Sequence, residues 1–71
     1  MQTEHLVTMA NQIGDFFKFS PDQVQAKKDI AQHLQRYWAS SMRQQLLTHV
    51  QQQQGQGLQA IVREAVSEYL A

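Results

Sequence analysis

Apolar residues recur along this chain at the three- and four-residue spacing of amphipathic α-helices. In residues 4–19 they cover about a third of the circumference of a helix that turns about 100° per residue. The apolar positions of this first stripe are Leu6, Met9, Ala10, Ile13, Phe16 and Phe17. Apolar and polar residues nowhere alternate with a period of two, so nothing indicates a β-strand. The pattern predicts an all-α fold.

Three further stripes predict helices over residues 21–38, 41–53 and 59–70. Their apolar positions are Ala26, Ile30, Leu34, Tyr37 and Trp38 in the second helix, Met42, Leu46, His49 and Val50 in the third, and Leu58, Ile61, Val62, Ala65, Val66 and Tyr69 in the last. The links between the helices are short, which favours antiparallel neighbours. We therefore expect one domain over residues 1–71, a small four-helix antiparallel bundle.

The start of the second helix has the strongest local signal in the chain. Ser20 is the expected N-cap, Pro21 suits the first helical position, and Gln23 completes a capping box. Phe19 and Val24 flank this start at the spacing of a hydrophobic staple. Together these residues predict that the helix begins at Pro21.

Simpler signals mark the other helix boundaries. Thr3 is the expected cap of the first helix, and Ser40 or Ser41 is the expected cap of the third. Gly55 and Gly57 should end the third helix, because glycine adopts left-handed backbone conformations at little cost. The glutamines before Gly55 would otherwise allow that helix to continue.

Two residues of the first helix, Asn11 and Gly14, are poor helix formers. Gly14 lies at the edge of the apolar stripe. A glycine at such a position more often allows two helices to approach closely than it contacts a ligand, so we expect close helix packing there. Asn11 and its neighbour Gln12 are amides outside the main stripe. The sequence leaves three interpretations of them open: exposure to solvent, hydrogen bonding to the backbone of a partner, and capping within the chain.

Trp38 has two interpretations. A single tryptophan on an apolar helix face is most often part of the core. A tryptophan beside Arg36 and near Arg43 also has the composition of an interface hot spot. Leu47 and Arg63 are further candidates for a contact surface, because the helical spacing predicts that both point away from the apolar faces of their helices.

The composition narrows the classes of function. Six basic residues balance six acidic ones. This neutral balance argues against binding to nucleic acid or to an anionic membrane surface, both of which attract basic proteins. No apolar run approaches the ~20 residues of a membrane-spanning helix, and the N-terminal residues lack the features of a signal peptide, so we expect a cytoplasmic protein. A chain of 71 residues without cysteine has a small core and no disulfide, which suggests that a partner chain completes the burial.

Residues with catalytic or metal-binding chemistry are scattered. The histidines are His5, His33 and His49. Asp29 and His33 share a helix face, but no third ligand lies nearby, so we expect a surface contact there and no metal. Glu64 and Glu68 are expected to be solvated. No serine or threonine has the sequence context of a nucleophile, and no glycine-rich loop follows a strand. The residues predict a binding module without its own catalysis.

Three blocks of the sequence together resemble the pattern of a known protein family in their order and spacing. They are HLxxMANQIGxFF at residues 5–17, then His33-Leu34 with Tyr37-Trp38 and Met42-Arg43, and finally Leu58 with VREAV at residues 62–66. In order and spacing they resemble the small delta subunit of NAD-dependent, molybdenum-containing formate dehydrogenases. The chain departs from that family at Ala39-Ser40, where Asp-Pro is common, and at the glutamine tract 51–54, where the family is usually glycine-rich.

The resemblance implies a non-catalytic accessory subunit of a cytoplasmic NAD-dependent formate dehydrogenase complex. Its partner would be the large molybdenum catalytic subunit, which this chain would bind and stabilise or help to assemble. The molybdopterin, the iron–sulfur clusters and the flavin would belong to the other subunits. This chain would hold no cofactor or metal, in agreement with its lack of cysteine.

We expect the contact surface for this partner to comprise Asn11, Gln12, Trp38 and Arg43. These residues belong to the family-like blocks, and a core does not require all of them. On this hypothesis, replacing Asn11 and Arg43 with alanine weakens assembly and leaves the melting of the chain nearly unchanged.

Two other functions fit the residues. One is a self-associating helical adaptor unrelated to formate metabolism, in which case the isolated chain is a homo-oligomer. The other is a small DNA-binding regulator with helix-turn-helix geometry. The neutral charge and the lack of a helix with clustered Arg, Lys and Asn argue against the regulator.

Overall fold

The computed structural model describes residues 2–71 and contains four helices. They are α1 (Thr3–Phe17), α2 (Gln23–Tyr37), α3 (Ser40–Gln53) and α4 (Ala60–Ala65), and α4 continues directly into a π-helical turn, Val66–Leu70. No strand occurs among these residues, and none of their helices has the length and apolar character needed to cross a bilayer. The predicted all-α class is confirmed.

Helix α1 begins without a side-chain cap. Its N-cap is Gln2, whose side chain makes no capping hydrogen bond. The prediction that Thr3 is the cap is wrong, because Thr3 is the first helical residue and its hydroxyl accepts a hydrogen bond from Gln45 Nε2 at 3.1 Å. The helix ends at Phe17, two residues earlier than predicted, where the N–H of Ser20 donates to the Phe17 oxygen at 3.0 Å.

The cap of α2 lies two residues later than predicted. Asp22, and not Ser20, is the N-cap, and its carboxylate accepts a hydrogen bond from the N–H of Gln25 at 3.0 Å. A carboxylate also interacts favourably with the positive end of the helix, which a hydroxyl does not. Ser20 Oγ instead accepts from the N–H of Asp22 at 3.3 Å. Gln23 reaches back as in a capping box, but its amide donates to the carbonyl oxygens of Ser20 and Lys18.

The predicted hydrophobic staple before α2 and the predicted serine cap of α3 do not form. Phe19 and Val24 are 85% and 54% exposed, so the predicted staple buries neither of them. The N-cap of α3 is Ala39, which has no side chain to donate or accept a hydrogen bond. Neither Ser40 nor Ser41 is therefore the cap, although α3 begins at Ser40 and ends at residue 53 close to its predicted bounds.

Left-handed backbone conformations end α3, as predicted. Gln54 is the C-cap with φ 57°, and Gly55 and Gly57 follow with φ 66° and 89°. His49 holds this break in place, because its carbonyl oxygen accepts from the N–H of Gly55 at 3.2 Å and its Nε2 contacts the Gln56 oxygen at 2.8 Å. A carbonyl oxygen only accepts, so Nε2 carries the proton in this contact. His49 therefore has a structural role.

The core lies where the four helices meet. Its largest fully buried side chains are Leu6, Ile30, Leu34, Leu46, Val62 and Val66. All of them belong to the predicted apolar stripes, so the inward side of each helix was predicted correctly. Trp38 is 7% exposed and packs in the same cluster, which confirms its interpretation as a core residue.

Three side chains lie elsewhere than predicted. Phe16 and Tyr37, expected on the apolar faces, are 83% and 68% exposed. Leu47, expected to point away from the core, is half-buried and packs against it. An apolar stripe marks the side of a helix that faces the core, but neighbouring helices decide how much of its edge is covered.

Candidate interaction surfaces

Asn11 contacts the segment that leads into α4, and both ends of its side-chain amide are bonded within the chain. Its Oδ1 accepts a hydrogen bond from the backbone N–H of Gln59, the N-cap of α4, at 2.9 Å. Its Nδ2 donates to the carbonyl oxygen of Gly57 at 2.9 Å, and Gln59 Nε2 donates to the backbone oxygen of Asn11 at 3.2 Å. Of the three interpretations of Asn11, the structure supports capping within the chain.

Gln59 extends this contact along α1. Its Nε2 also donates to Asp15 Oδ1 at 2.6 Å, and Lys18 Nζ lies 2.9 Å from the same oxygen. The Lys18 ammonium, followed by the Gln59 amide, lowers the pKa of Asp15 from its ordinary value of 3.8, because both hydrogen bonds favour the carboxylate. Gly14 permits this approach, since a Cβ there would lie 2.5 Å from Val62 Cγ2. The predicted close packing at Gly14 is confirmed.

Arg43 is also engaged within the chain. Its Nη1 donates to the carbonyl oxygen of Trp38 and, at 3.2 Å, to that of Gln35. These oxygens lie at the C-terminal end of α2, where the last carbonyl groups lack helical partners and the helix dipole favours a cation. Arg43 thereby ties the first turn of α3 to the end of α2.

A groove of about 680 Å³ opens at the surface between α1 and α2. Its largely apolar lining consists of Met9, Gln12, Ile13, Phe16 and Phe17 from α1, and of His33, Tyr37 and Trp38 from α2 and its C-cap. Phe16 packs edge-on against Phe17 with ring centroids 5.1 Å apart, and the His33 and Tyr37 rings lie 4.8 Å apart. Exposed aromatic side chains gathered around one groove are typical of an interaction site.

The structure thus divides the predicted contact surface. Gln12 and Trp38 meet at the groove, whereas Asn11 faces the start of α4 and Arg43 faces the end of α2. That any of these four residues contacts a partner stays a prediction.

Two groove residues, Phe16 and Tyr37, were expected on the apolar faces of their helices. Phe16 lies at the edge of its stripe, and Tyr37 is the last residue of α2. At the edge of an apolar stripe and at the end of a helix, helical periodicity predicts burial least well.

The residues with metal-binding chemistry do not form a cluster in the part of the chain that the structure describes. Within residues 2–71, no three His, Cys, Asp or Glu side chains are grouped so that they could hold a metal ion. Asp29 accepts a hydrogen bond from Gln25 Nε2 at 2.9 Å, and His33 packs on Tyr37. The two candidate ligands therefore make separate contacts.

Glu64 and Glu68, expected to be merely solvated, share a counter-ion. Lys27 Nζ lies 3.5 Å from Glu64 Oε1 and 2.9 Å from Glu68 Oε2. The hydrogen bond to Glu68 raises the pKa of Lys27 from its ordinary value of 10.5. These ion pairs join α2 to α4 and to the π-helical turn.

Residues 5–66 match the family described as the NADH-dependent formate dehydrogenase delta subunit FdsD. The matched range includes all three sequence blocks, the groove, and the contact between Asn11 and Gln59. Neither the curated proteins nor the solved structures gave a match to this chain. Because the family match runs from the start of α1 to the end of α4 and into the π-helical turn, the chain belongs to the FdsD family of formate dehydrogenase delta subunits.

Proposed function

We propose that this chain is a non-catalytic accessory subunit that binds the large molybdenum catalytic subunit of an NAD-dependent formate dehydrogenase and stabilises it or helps to assemble it. The family match over residues 5–66 carries this proposal. A delta subunit belongs to a complex of several chains, so its function includes contacts with the other subunits.

The distribution of chemistry along the chain supports a non-catalytic role. In a molybdenum-containing formate dehydrogenase, electrons pass from formate to NAD through redox cofactors, and iron–sulfur clusters are held by cysteine thiolates. This chain has no cysteine, and its histidines and carboxylates are bound in contacts of their own or lie apart. We therefore assign the cofactors to the other subunits and none to this chain, and we place the complex in the cytoplasm, where NAD is available.

The exposed surface supports a binding role. Phe16 and Tyr37 are each more than two-thirds exposed in a protein of 8.2 kDa. Apolar side chains left in water lose the free energy that burial would provide. A partner that covers them would restore it, which suits a subunit that acts by association.

Expression of the formate dehydrogenase subunits with and without this chain tests the proposal. With an affinity tag on the large catalytic subunit, we expect this chain to co-purify in a fixed ratio. We expect its omission to lower the yield or the molybdenum content of the complex, and with it formate-dependent NAD reduction. Supplying the chain from a second plasmid is the control for the omission.

Two results would contradict the proposal. One is that this chain does not co-purify with the large subunit under any expression condition. The other is that the purified, tag-free chain binds molybdenum, iron or zinc stoichiometrically, or reduces NAD with formate by itself. A chain that only self-associates would support the helical adaptor instead.

A further inference from the structure

We infer that the groove between α1 and α2 is the docking site for a segment of the large catalytic subunit that carries a carboxylate next to its apolar side chains. This inference rests on the proposed function and extends it by naming the surface and the chemistry of the segment that occupies it.

The walls of the groove are suited to apolar side chains. Phe16 and Tyr37 stand at 83% and 68% exposure, while Ile13 and Phe17 are half-buried against the core. The volume of about 680 Å³ has room for several side chains of a bound segment. Apolar grooves between two helices commonly receive the apolar face of another helix, and aromatic residues dominate the energy of such contacts.

The groove is formed before any partner binds. Trp38 is 7% exposed and anchored in the core, and its carbonyl oxygen is held by Arg43. The rings of Phe16 and Phe17 support each other edge to face. A preformed surface loses little conformational entropy on binding, which favours affinity.

The charge beside the groove selects the kind of segment. Arg36 lines a hollow next to the groove together with His33 and Tyr37. Its guanidinium forms no ion pair or hydrogen bond with the residues described here. Asp29 lines the same hollow but forms no ion pair with Arg36, and its carboxylate accepts a hydrogen bond from Gln25 Nε2 at 2.9 Å. An apolar groove next to an unpaired guanidinium fits a segment that has apolar side chains and a nearby carboxylate. Arginine binds a carboxylate through two parallel hydrogen bonds, in bidentate geometry.

A second copy of this chain is a poorer occupant. Five of its six Asp and Glu side chains already have a partner within the chain: Asp15, Asp22, Asp29, Glu64 and Glu68. The sixth, Glu4, lies twelve positions before Phe16 on α1, which is about 18 Å along a helix. A second copy therefore offers no exposed aromatic side chain beside a carboxylate that lacks a partner in its own chain, which favours an occupant from another subunit.

Photo-crosslinking within the assembled complex tests the identity of the occupant. Tyr37 is replaced by p-benzoylphenylalanine, a residue of related shape, and the complex is co-expressed, purified through the large subunit and irradiated. The expected crosslinked peptide belongs to the large catalytic subunit and contains apolar residues within a few positions of Asp or Glu. A crosslink only to a second copy of this chain or only to another subunit overturns the inference.

Matched substitutions test the chemistry. Phe16→Asp alters the groove and Arg36→Glu alters the hollow beside it, whereas Phe19→Asp and Lys28→Glu make matched changes at exposed positions that line neither. We expect Phe16→Asp and Arg36→Glu to reduce the affinity for the large subunit about tenfold or more, and both controls to stay within about twofold. All four positions are exposed, so the melting of each isolated variant should match that of the parent.

The outcomes separate this inference from the proposed function. If the parent chain does not co-purify with the large subunit, the proposed function fails and this inference with it. If the parent co-purifies and the groove variants bind as well as their matched controls, the accessory function stands and the docking site is wrong. Equal losses in Phe16→Asp and Phe19→Asp likewise contradict a contact confined to the groove.

Discussion

The side-chain oxygen of Asn11 accepts a hydrogen bond from the backbone N–H of Gln59 at 2.9 Å, and Gln59 Nε2 returns a hydrogen bond to the backbone oxygen of Asn11 at 3.2 Å. Helix α4 has 6 residues and no side-chain cap of its own. So short a helix is not stable by itself in water. Asn11 on α1 therefore supplies, from 48 residues away, the cap that α4 lacks.

Replacing Asn11 should destabilise the fold. We expect Asn11→Ala to lower the free energy of unfolding by ~1–3 kcal/mol, because it leaves the Gln59 N–H and the Gly57 oxygen without their partner. Urea unfolding followed by circular dichroism measures this. Gln12→Ala, at the neighbouring exposed position, is the control and should change stability by less than about 0.5 kcal/mol.

This expectation differs from the one based on the sequence alone, in which Asn11→Ala combined with Arg43→Ala leaves the melting of the chain nearly unchanged. The structure engages both side chains within the chain, so the double variant should melt lower than the parent. Equal melting of parent and double variant would show that these hydrogen bonds contribute nothing to stability.

A methyl group at Gly14 should be unfavourable although alanine is the better helix former. The added Cβ would lie 2.5 Å from Val62 Cγ2 and 2.6 Å from Gln59 Oε1. The overlap should cost ~1–3 kcal/mol and the better helix propensity of alanine should return ~1 kcal/mol, so we expect a net loss of up to about 2 kcal/mol in Gly14→Ala. Chemical denaturation gives the difference.

A double-mutant cycle identifies the cause of that loss. Val62→Ala removes the methyl group that the new Cβ meets, so the combined loss in Gly14→Ala/Val62→Ala should be smaller than the sum of the single losses. Additive losses would mean that the two positions do not meet.

The capping of α2 can be tested with a pair of variants. We expect Asp22→Ala to cost about 1 kcal/mol, because its carboxylate caps the helix through the N–H of Gln25 at 3.0 Å. Ser20→Ala should cost less, since Ser20 serves only the preceding turn, where its contact with Asp22 is 3.3 Å long. Thermal and urea unfolding of both variants rank the two. A larger loss of unfolding free energy in Ser20→Ala than in Asp22→Ala would indicate that Ser20 is the cap.

Acid should weaken the contact between α1 and α4. The hydrogen bonds from Lys18 and Gln59 lower the pKa of Asp15 in the folded state, so its stabilising effect is fully present above the ordinary value of 3.8 and is lost as the pH falls through the lower folded value. The stability advantage of the parent over Asp15→Asn should therefore shrink as the pH falls from 3.8 through the lower pKa of Asp15 in the folded state.

Urea unfolding at a series of pH values measures this change, and NMR titration of the Asp15 carboxyl carbon measures the pKa itself. Lys18→Gln removes the largest cause of the shift, so the pKa of Asp15 should rise toward its ordinary value in that variant. A pKa that does not change in Lys18→Gln would exclude Lys18 as the cause.

The sequence by itself determined the class of the fold, the number of helices, the break at Gly55 and Gly57, and the inward side of each helix. These properties are local. Helical periodicity and the backbone freedom of glycine act over a few residues, so they can be read without knowing which helices meet. The same blocks also carried the resemblance to the family that residues 5–66 match.

Only the tertiary structure decided what the individual surface residues do. Asn11 and Arg43 were expected at an interface, but their hydrogen-bond partners lie in the segment that leads into α4 and at the end of α2. Phe16 and Tyr37 were expected on apolar helix faces, but no neighbouring helix covers them. The reason is that a polar side chain bonds to whatever group packing brings within about 3 Å, and an apolar one is buried only where a neighbour covers it. Neither condition is set by the residue itself or by its neighbours in sequence.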